Sequence, residues 1–232
     1  MQVKNITHNY RYLDIITAVF IAVLLISNVA SSKITTFGIF TLDAGTILFP
    51  LSYIIGDILT EVYGYARARR VIWIGLLCNV LMAATFMIVA VLPPAADWPN
   101  QGAYEAILGW TPRIVLASVI AYFAGEFINS FVLAKLKIKT KGKYLWVRTL
   151  GSTPIGELFD TVLFITIAFW GVLPTEILIP LMVSNYIFKL AVELLFTPIT
   201  YKVVNKLKKA EHEDYYDRKT NFNPFVLTAK EK

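Results

Sequence analysis

The chain has 232 residues, 56% of them hydrophobic and only 16% charged, with a mean hydropathy of +0.60, a balance that excludes a water-soluble globular domain and points to a polytopic membrane protein. Its net charge of +6 sits in short segments between apolar runs, so it reads as a topology signal and not as a nucleic-acid surface. The single cysteine, Cys78, excludes an internal disulfide framework; no CxxC, HExxH, P-loop or GxGxxG pattern occurs, and no metal, cofactor or nucleotide is expected.

A polar, basic start with Lys4 and Arg11 leads into a first span from about Tyr12 to Ala30, with Asn28 near its far end. Small residues follow at Ala30, Ser31 and Ser32, as after a cleaved signal peptide, but the apolar run is longer than a signal core and is read as an uncleaved helix. KITTFGIFTLD, from Lys33 to Asp43, is rich in β-branched and aromatic residues around Gly38 and predicts a hairpin, which pairs backbone groups that an open loop would leave bare.

The second span, about Ala44 to Tyr65, carries Pro50 in its first turns and then Asp57 and Glu61, four residues apart on one face. A carboxylate at bilayer depth costs several kcal/mol unless paired, protonated or wetted, so this face should look into the protein. Arg67, Arg69 and Arg70 close the stretch as topology anchors, with cytoplasmic gating as the rival role for Arg69 and Arg70.

Residues 71–92 carry no charge and form the clearest lipid-facing span, with Asn79 expected to bond another helix. Trp98 and Trp110 in the following connection suit an interfacial belt, and AYEAILGW predicts a short helix lying there. The fourth span, about Arg113 to Ala134, holds Glu126 and Asn129 one turn apart. After the basic loop KLKIKTKGKYLWVR, in which Trp146 and Arg148 mark the interface, the fifth, about Leu150 to Leu173, holds Glu157 and Asp160. The sixth, about Ile177 to Tyr201, places Asn185, Lys189 and Glu193 on one stripe, with Lys189 and Glu193 read as an i, i+4 ion pair. The tail after Lys202 lacks hydrophobic periodicity and predicts little fixed structure.

Alternate connections hold 19 and 2 Lys and Arg residues, which predicts six spans with both termini cytoplasmic. The expected architecture is an all-α membrane protein of six transmembrane helices with a short external β-hairpin between the first two. Residues 1–209 form the transport domain and 210–232 a cytoplasmic tail, in an inner or plasma membrane. Six buried acids against one base cannot all be ionised in a dry interior, so some are protonated or they line a wet cavity. An acceptor-lined cavity at the midplane suits a transporter of a donor-rich solute, such as a guanine-like ring stacked on Tyr53, Phe49 or Phe188.

The runs GDILTEVYGYARARR, STPIGELFDTVLFITIAFW and SNYIFKLAVELLFTPITY together resemble the queuosine precursor transporter family, six-span proteins similar to vitamin uptake transporters, over Asp14 to about Lys209. The resemblance implies uptake of 7-cyano-7-deazaguanine or its aminomethyl relative for tRNA modification, and maps the family's polar positions onto Asp57, Arg69, Arg70, Asp160 and Lys189. Members carry a basic residue in places where this chain has Glu61.

Asp57 and Asp160 are therefore the first choices for substrate recognition, with Lys189 and Glu193 organising the site, and Glu61, Tyr53, Phe49 and Phe188 completing it. Glu126 is the candidate for proton coupling, with Asn129, Glu157, Arg69, Arg70 and Asn28 as coupling or gating residues. The partners are a small purine-like substrate and the lipid bilayer, with no direct nucleic acid and self-association left open. Rival readings are a substrate-capture subunit that needs an ATPase module and an intramembrane aspartyl protease using Asp57 and Asp160. The latter lacks the GxGD pattern.

Overall fold

The computed structural model describes residues 10–38, 40–109 and 111–226. Seven helices appear in this order with one hairpin: α1 (Leu13–Ala30), β1 (Ile34–Phe37), β2 (Phe40–Asp43), α2 (Pro50–Tyr63), α3 (Tyr65–Ala90), α4 (Gln101–Leu108), α5 (Thr111–Lys139), α6 (Leu145–Phe169) and α7 (Thr175–Glu211). Among the described residues α1, α3, α5 with the segment before it, α6 and α7 are long and apolar enough to cross a membrane, which makes this a multi-pass membrane protein. Leu77, Leu81 and Leu195 are each more than 60% exposed, an outward apolar surface that suits lipid.

The hairpin forms where expected, antiparallel, with Ile34 opposite Asp43 and Phe37 opposite Phe40. The stretch expected as one span from Ala44 to Tyr65 is divided into a 3-10 turn over Ala44–Ile47 and the 14-residue α2, with Pro50 in its first turn. Asp43 causes the division: its carboxylate accepts from the Thr46 N–H, capping the short turn.

The arginines correct the expectation of a basic loop, because α3 restarts one residue after α2. Gly64, at φ +85°, makes the joint; the Tyr215 ring packs where a Cβ would stand, so no other residue fits both its conformation and its space. The basic segment after the fourth predicted span is also mostly helical, leaving residues 140–144 between α5 and α6. AYEAILGW yields α4, although Trp110 lies outside the described residues.

Both described ends of the chain meet at one end of the bundle. The Tyr10 hydroxyl donates to Glu213 at 2.8 Å, and the Arg11 and Tyr12 N–H groups donate to Glu211 at 2.9 and 2.8 Å. The hairpin lies at the opposite end, and α2 runs between them, from the Asp43 turn to Tyr63, whose hydroxyl bonds Glu211 at 2.8 Å. The main core gathers Phe20, Tyr53, Leu59, Tyr63, Tyr65, Ile72 and Tyr122 from α1, α2, α3 and α5. Asn28 on α1 bonds Asn79 on α3 at 2.7 Å, the interhelical amide contact expected of Asn79.

Helices α5 and α6 come into close contact at Gly125 and Gly156. A Cβ built on either glycine would stand 2.7 Å from the other's carbonyl oxygen. Gly156→Ala should therefore force the helices apart and lower the thermal unfolding midpoint in detergent, at a cost of about 1 to 3 kcal/mol. Gly151→Ala, where the new methyl meets only the flexible Leu136 side chain, should be neutral or stabilising. Equal midpoints for the two variants would contradict backbone contact at Gly156.

Candidate functional site

The inner faces of four helices carry a continuous stripe of buried polar groups. From α2 come Asp57, Thr60 and Glu61; from α5, Glu126, Asn129, Ser130 and Lys137; from α6, Arg148, Ser152, Thr153, Glu157 and Asp160; and from α7, Asn185, Lys189 and Glu193. Each set recurs at three- or four-residue steps, so helical periodicity alone places it on one inward face. A charged residue facing lipid here would have no partner, which fixes the rotation of each helix.

Near the hairpin the stripe meets a cavity of about 10 Å³, lined by Asn28, Ser31, Asp43, Thr46, Phe49, Asp160, Phe164 and Lys189. That is room for roughly one water. The Lys189 ammonium donates to Asp160 Oδ2 at 2.6 Å and to Thr161 Oγ1 at 3.1 Å, and lies 4.7 Å from the centre of the Phe49 ring. The second oxygen of Asp160 accepts no hydrogen bond from the described residues.

This pairing corrects the expected Lys189–Glu193 ion pair: Lys189 reaches across to α6, and neither Glu193 oxygen has a hydrogen-bond partner among the described residues. A side chain on a helix can lean sideways to a neighbouring helix as easily as along its own, and the shorter Asp160 sits at the right height. Asp43 is a site residue that sequence reading missed. Buried at the end of β2, it accepts from Ser31 Oγ at 2.8 Å, Thr46 Oγ1 at 2.7 Å and Asn185 Nδ2 at 3.0 Å, so it ties the hairpin to α1 and α7. The Asp-x-x-Thr spacing of a capped turn was its available signal.

Deeper in the bundle lie Asp57, Asn129, Glu126, Glu157 and Tyr53. Asp57 accepts from Asn129 Nδ2 at 2.8 Å and Thr153 Oγ1 at 3.5 Å, while Glu126 accepts from Ser130 Oγ at 3.3 Å through one oxygen. Among the described residues both Glu157 oxygens, the second Glu126 oxygen and the Tyr53 hydroxyl find no hydrogen-bond partner. Burying such a group without a partner is costly, which marks each as a place for chemistry beyond packing. Phe49 and Tyr53 pack at a tilt, with ring centroids 6.0 Å apart. Phe188 is half-buried on α7 and does not line the cavity.

Glu61 belongs to neither group. It sits at the chain-end mouth, held by Arg148 at 2.8 Å, Lys208 at 2.6 Å and Lys137 at 3.6 Å. Asp214 from the tail joins this cluster at 2.7 Å from Lys137 and 2.8 Å from Lys208. Burial works against the Asp214 carboxylate, but the two ammonium groups outweigh it and hold its pKa below the usual range. A depressed carboxyl stabilises the fold above its unfolded pKa, so the Asp214 contribution is present at neutral pH and is lost only as acid titrates through the lowered value.

Three further expectations are corrected here. Arg148 is buried against Glu61 and does not mark the interface; its guanidinium also donates to Thr140 Oγ1 and the Lys143 carbonyl. Arg69 is 2% exposed and donates to the carbonyls of Asn221 and Asn223 at 2.6 and 2.7 Å, whereas Arg70 is exposed. The tail, expected to be loose, runs without helix or strand but is pinned by these bonds, by Trp73 Nε1 to the Pro224 carbonyl at 2.8 Å, and by the Asp217 carboxylate on the Tyr65 N–H at 3.1 Å. Asp214 and Asp217 gave no sequence signal, because their partners are distant in the chain.

Residues 43–203 match the family described as "Putative vitamin uptake transporter". A "Probable queuosine precursor transporter" of Bacillus subtilis (strain 168) is 33% identical over 164 residues, covering 69% of this chain and 71% of the relative. The "Queuosine precursor transporter" of Escherichia coli (strain K12) is 25% identical over 169 residues, 71% of this chain and 74% of its own. No solved structure matches the chain at a significant level.

The ion pair makes a test of partnership. Lys189→Met alone should cost about 3 to 5 kcal/mol of stability, because it strands a buried carboxylate. Adding Asp160→Asn should restore part of that loss, while adding Glu193→Gln should restore little. Thermal unfolding of the purified variants in detergent distinguishes the two, and rescue by Glu193→Gln instead of Asp160→Asn would return the pairing to α7 alone.

Proposed function

The chain belongs to the vitamin uptake transporter family, and from that membership we propose that it imports a queuosine precursor, 7-cyano-7-deazaguanine or its aminomethyl relative, for tRNA modification. A transporter family, with relatives named as queuosine precursor transporters, makes this a carrier and not an enzyme. The observation that carries the substrate class is the Asp160–Lys189 pair under the hairpin, with one carboxylate oxygen open and Phe49 against the ammonium. The open carboxylate suits the ring N–H and exocyclic amine of a guanine-like edge, Lys189 suits its carbonyl oxygen, and Phe49 and Phe164 offer faces to stack on. Asp57 is the second recognition carboxylate, and Glu126, with one open oxygen, is the carrier of the coupling proton.

Binding pockets for small molecules hold roughly 300 to 1,000 Å³. A cavity of about 10 Å³ is closed around its polar groups, so import requires a second arrangement in which the helices part. On this reading α2 is the sixth crossing, and the meeting of both chain ends at the mouth rich in Lys and Arg supports cytoplasmic termini.

Two experiments test the reading. Purified Asp160→Asn and Asp57→Asn proteins, each checked for folding, should bind precursor about ten-fold to more than a hundred-fold more weakly, for roughly 1 to 3 kcal/mol per lost acceptor. Wild-type affinity in both would remove these carboxylates from the site. In a Cys78→Ala background on intact cells, Gln101→Cys should react with an impermeant thiol reagent and Lys141→Cys should not. Reaction at residue 141 would reverse the orientation.

A further inference from the structure

The polar stripe continues past the cavity. From Lys189 to Lys208, α7 advances 19 residues, about 28 Å at roughly 1.5 Å per residue, close to the thickness of a bilayer core. Between them, Thr60 donates to Ser130 at 3.2 Å across α2 and α5, so the lane of polar contacts extends from Asp57 toward Glu61. Where the lane reaches the chain-end mouth, Glu61 gathers cations from α5, α6 and α7 onto α2. Four helices are thereby tied at one carboxylate.

A second layer comes from the tail. Asp214 bridges Lys137 and Lys208, the Lys137 ammonium also donates to the Tyr215 carbonyl at 2.7 Å, and the Tyr215 N–H donates to the Val62 carbonyl at 3.3 Å. Tyr215 fills the space above Gly64, and Tyr216 fills that above Gly142, so the two aromatic rings cover both short turns at this mouth. Charged and backbone groups of the tail are spent on the ends of α2, α3, α5 and α7. A segment needed only for solubility or membrane attachment would have no reason to be placed over the mouth.

We infer that the Glu61 cluster is the inner gate of the transport lane, and that residues 212–226 are its latch: solute leaves on this side only when Asp214 and the tyrosines behind it lift off. The inference rests on the transporter reading for the identity of the solute, but not for the closure itself. Pro198 supports it mechanically. It removes the backbone donor between the cavity and the gate, so the last turns of α7, which carry Lys208, can swing against the rest of the helix. Asp214 is about half exposed, so water already reaches it and can replace its ion pairs more readily than those of the fully buried Glu61.

The test uses the full chain in a Cys78→Ala background, with one cysteine at Thr60→Cys inside the lane. Inside-out vesicles expose the tail side to a charged, membrane-impermeant maleimide. Asp214→Asn combined with Trp73→Phe, which removes the bond to Pro224, should raise the labelling rate by about ten-fold or more, while Asp214→Glu should stay near the parent rate. A cysteine at Ser130→Cys serves where the first position is not tolerated, and thermal unfolding confirms that the latch variants are folded. Parental labelling rates in folded latch variants overturn the gate. Faster labelling without any precursor uptake by the parent protein keeps the gate and fails the substrate reading, so the two claims separate.

Discussion

Within a membrane a charge must find its partner inside the protein, because neither lipid nor water is there to supply one. That constraint organises this chain. Asp43, Glu61, Arg69, Lys137, Arg148, Asp160 and Lys189 are all nearly inaccessible, and each is held by named side chains or carbonyls from another part of the chain. The apolar outer surface imposes no comparable specificity; leucines toward lipid accept many rotations of a helix. The polar contacts choose one.

The partnered charges fall into two groups at opposite ends of one lane. Under the hairpin, Asp43 and the Asp160–Lys189 pair bring α1, β2, α6 and α7 together around a cavity of about 10 Å³. At the chain-end mouth, Glu61 and Asp214 do the same for α2, α5, α6 and α7. Alternating access needs two closures that can open separately, and ionic contacts suit closures because they are strong when dry and exchangeable once water enters. The backbone contact of Gly125 with Gly156 has the other character. It packs α5 on α6 without any group that water could replace, so this pair is the frame against which the closures work.

What could be seen in the sequence follows from what helical periodicity encodes. Hydropathy located α1 nearly to the residue and the apolar middles of α3, α5, α6 and α7, whose charged ends run several residues further, β-branched and aromatic residues located the hairpin, and the lone amide Asn79 announced an interhelical bond that Asn28 provides. Inward faces were equally legible, since Asp57, Glu126, Asp160 and Lys189 each recur with polar neighbours at helical steps. Partners were not. Periodicity gives the direction a side chain points from its own axis but says nothing about which helix stands opposite or at what height, so Lys189 was matched to Glu193 and not to Asp160. Arg148 looked like an interfacial anchor for the same reason: the acid that draws it inward is 87 residues away. The order of the tail is not legible in its residues because it comes from the groups it covers, and Asn221 and Asn223 contribute backbone carbonyls, which no residue type advertises.

The groups left unpaired complete the argument. Among the described residues both oxygens of Glu157 and Glu193 and one of Glu126 are nevertheless left without hydrogen bonds in the interior between the two groups, and one oxygen of Asp160 is left open at the hairpin end. Stability alone disfavours this, since an apolar side chain of similar size would fill the same space without the cost of a buried acceptor. The partnered charges hold the helices, and the unpartnered ones face the route. Open acceptors at that place suit the donor-rich cargo proposed above, whose N–H groups would supply the missing hydrogen bonds.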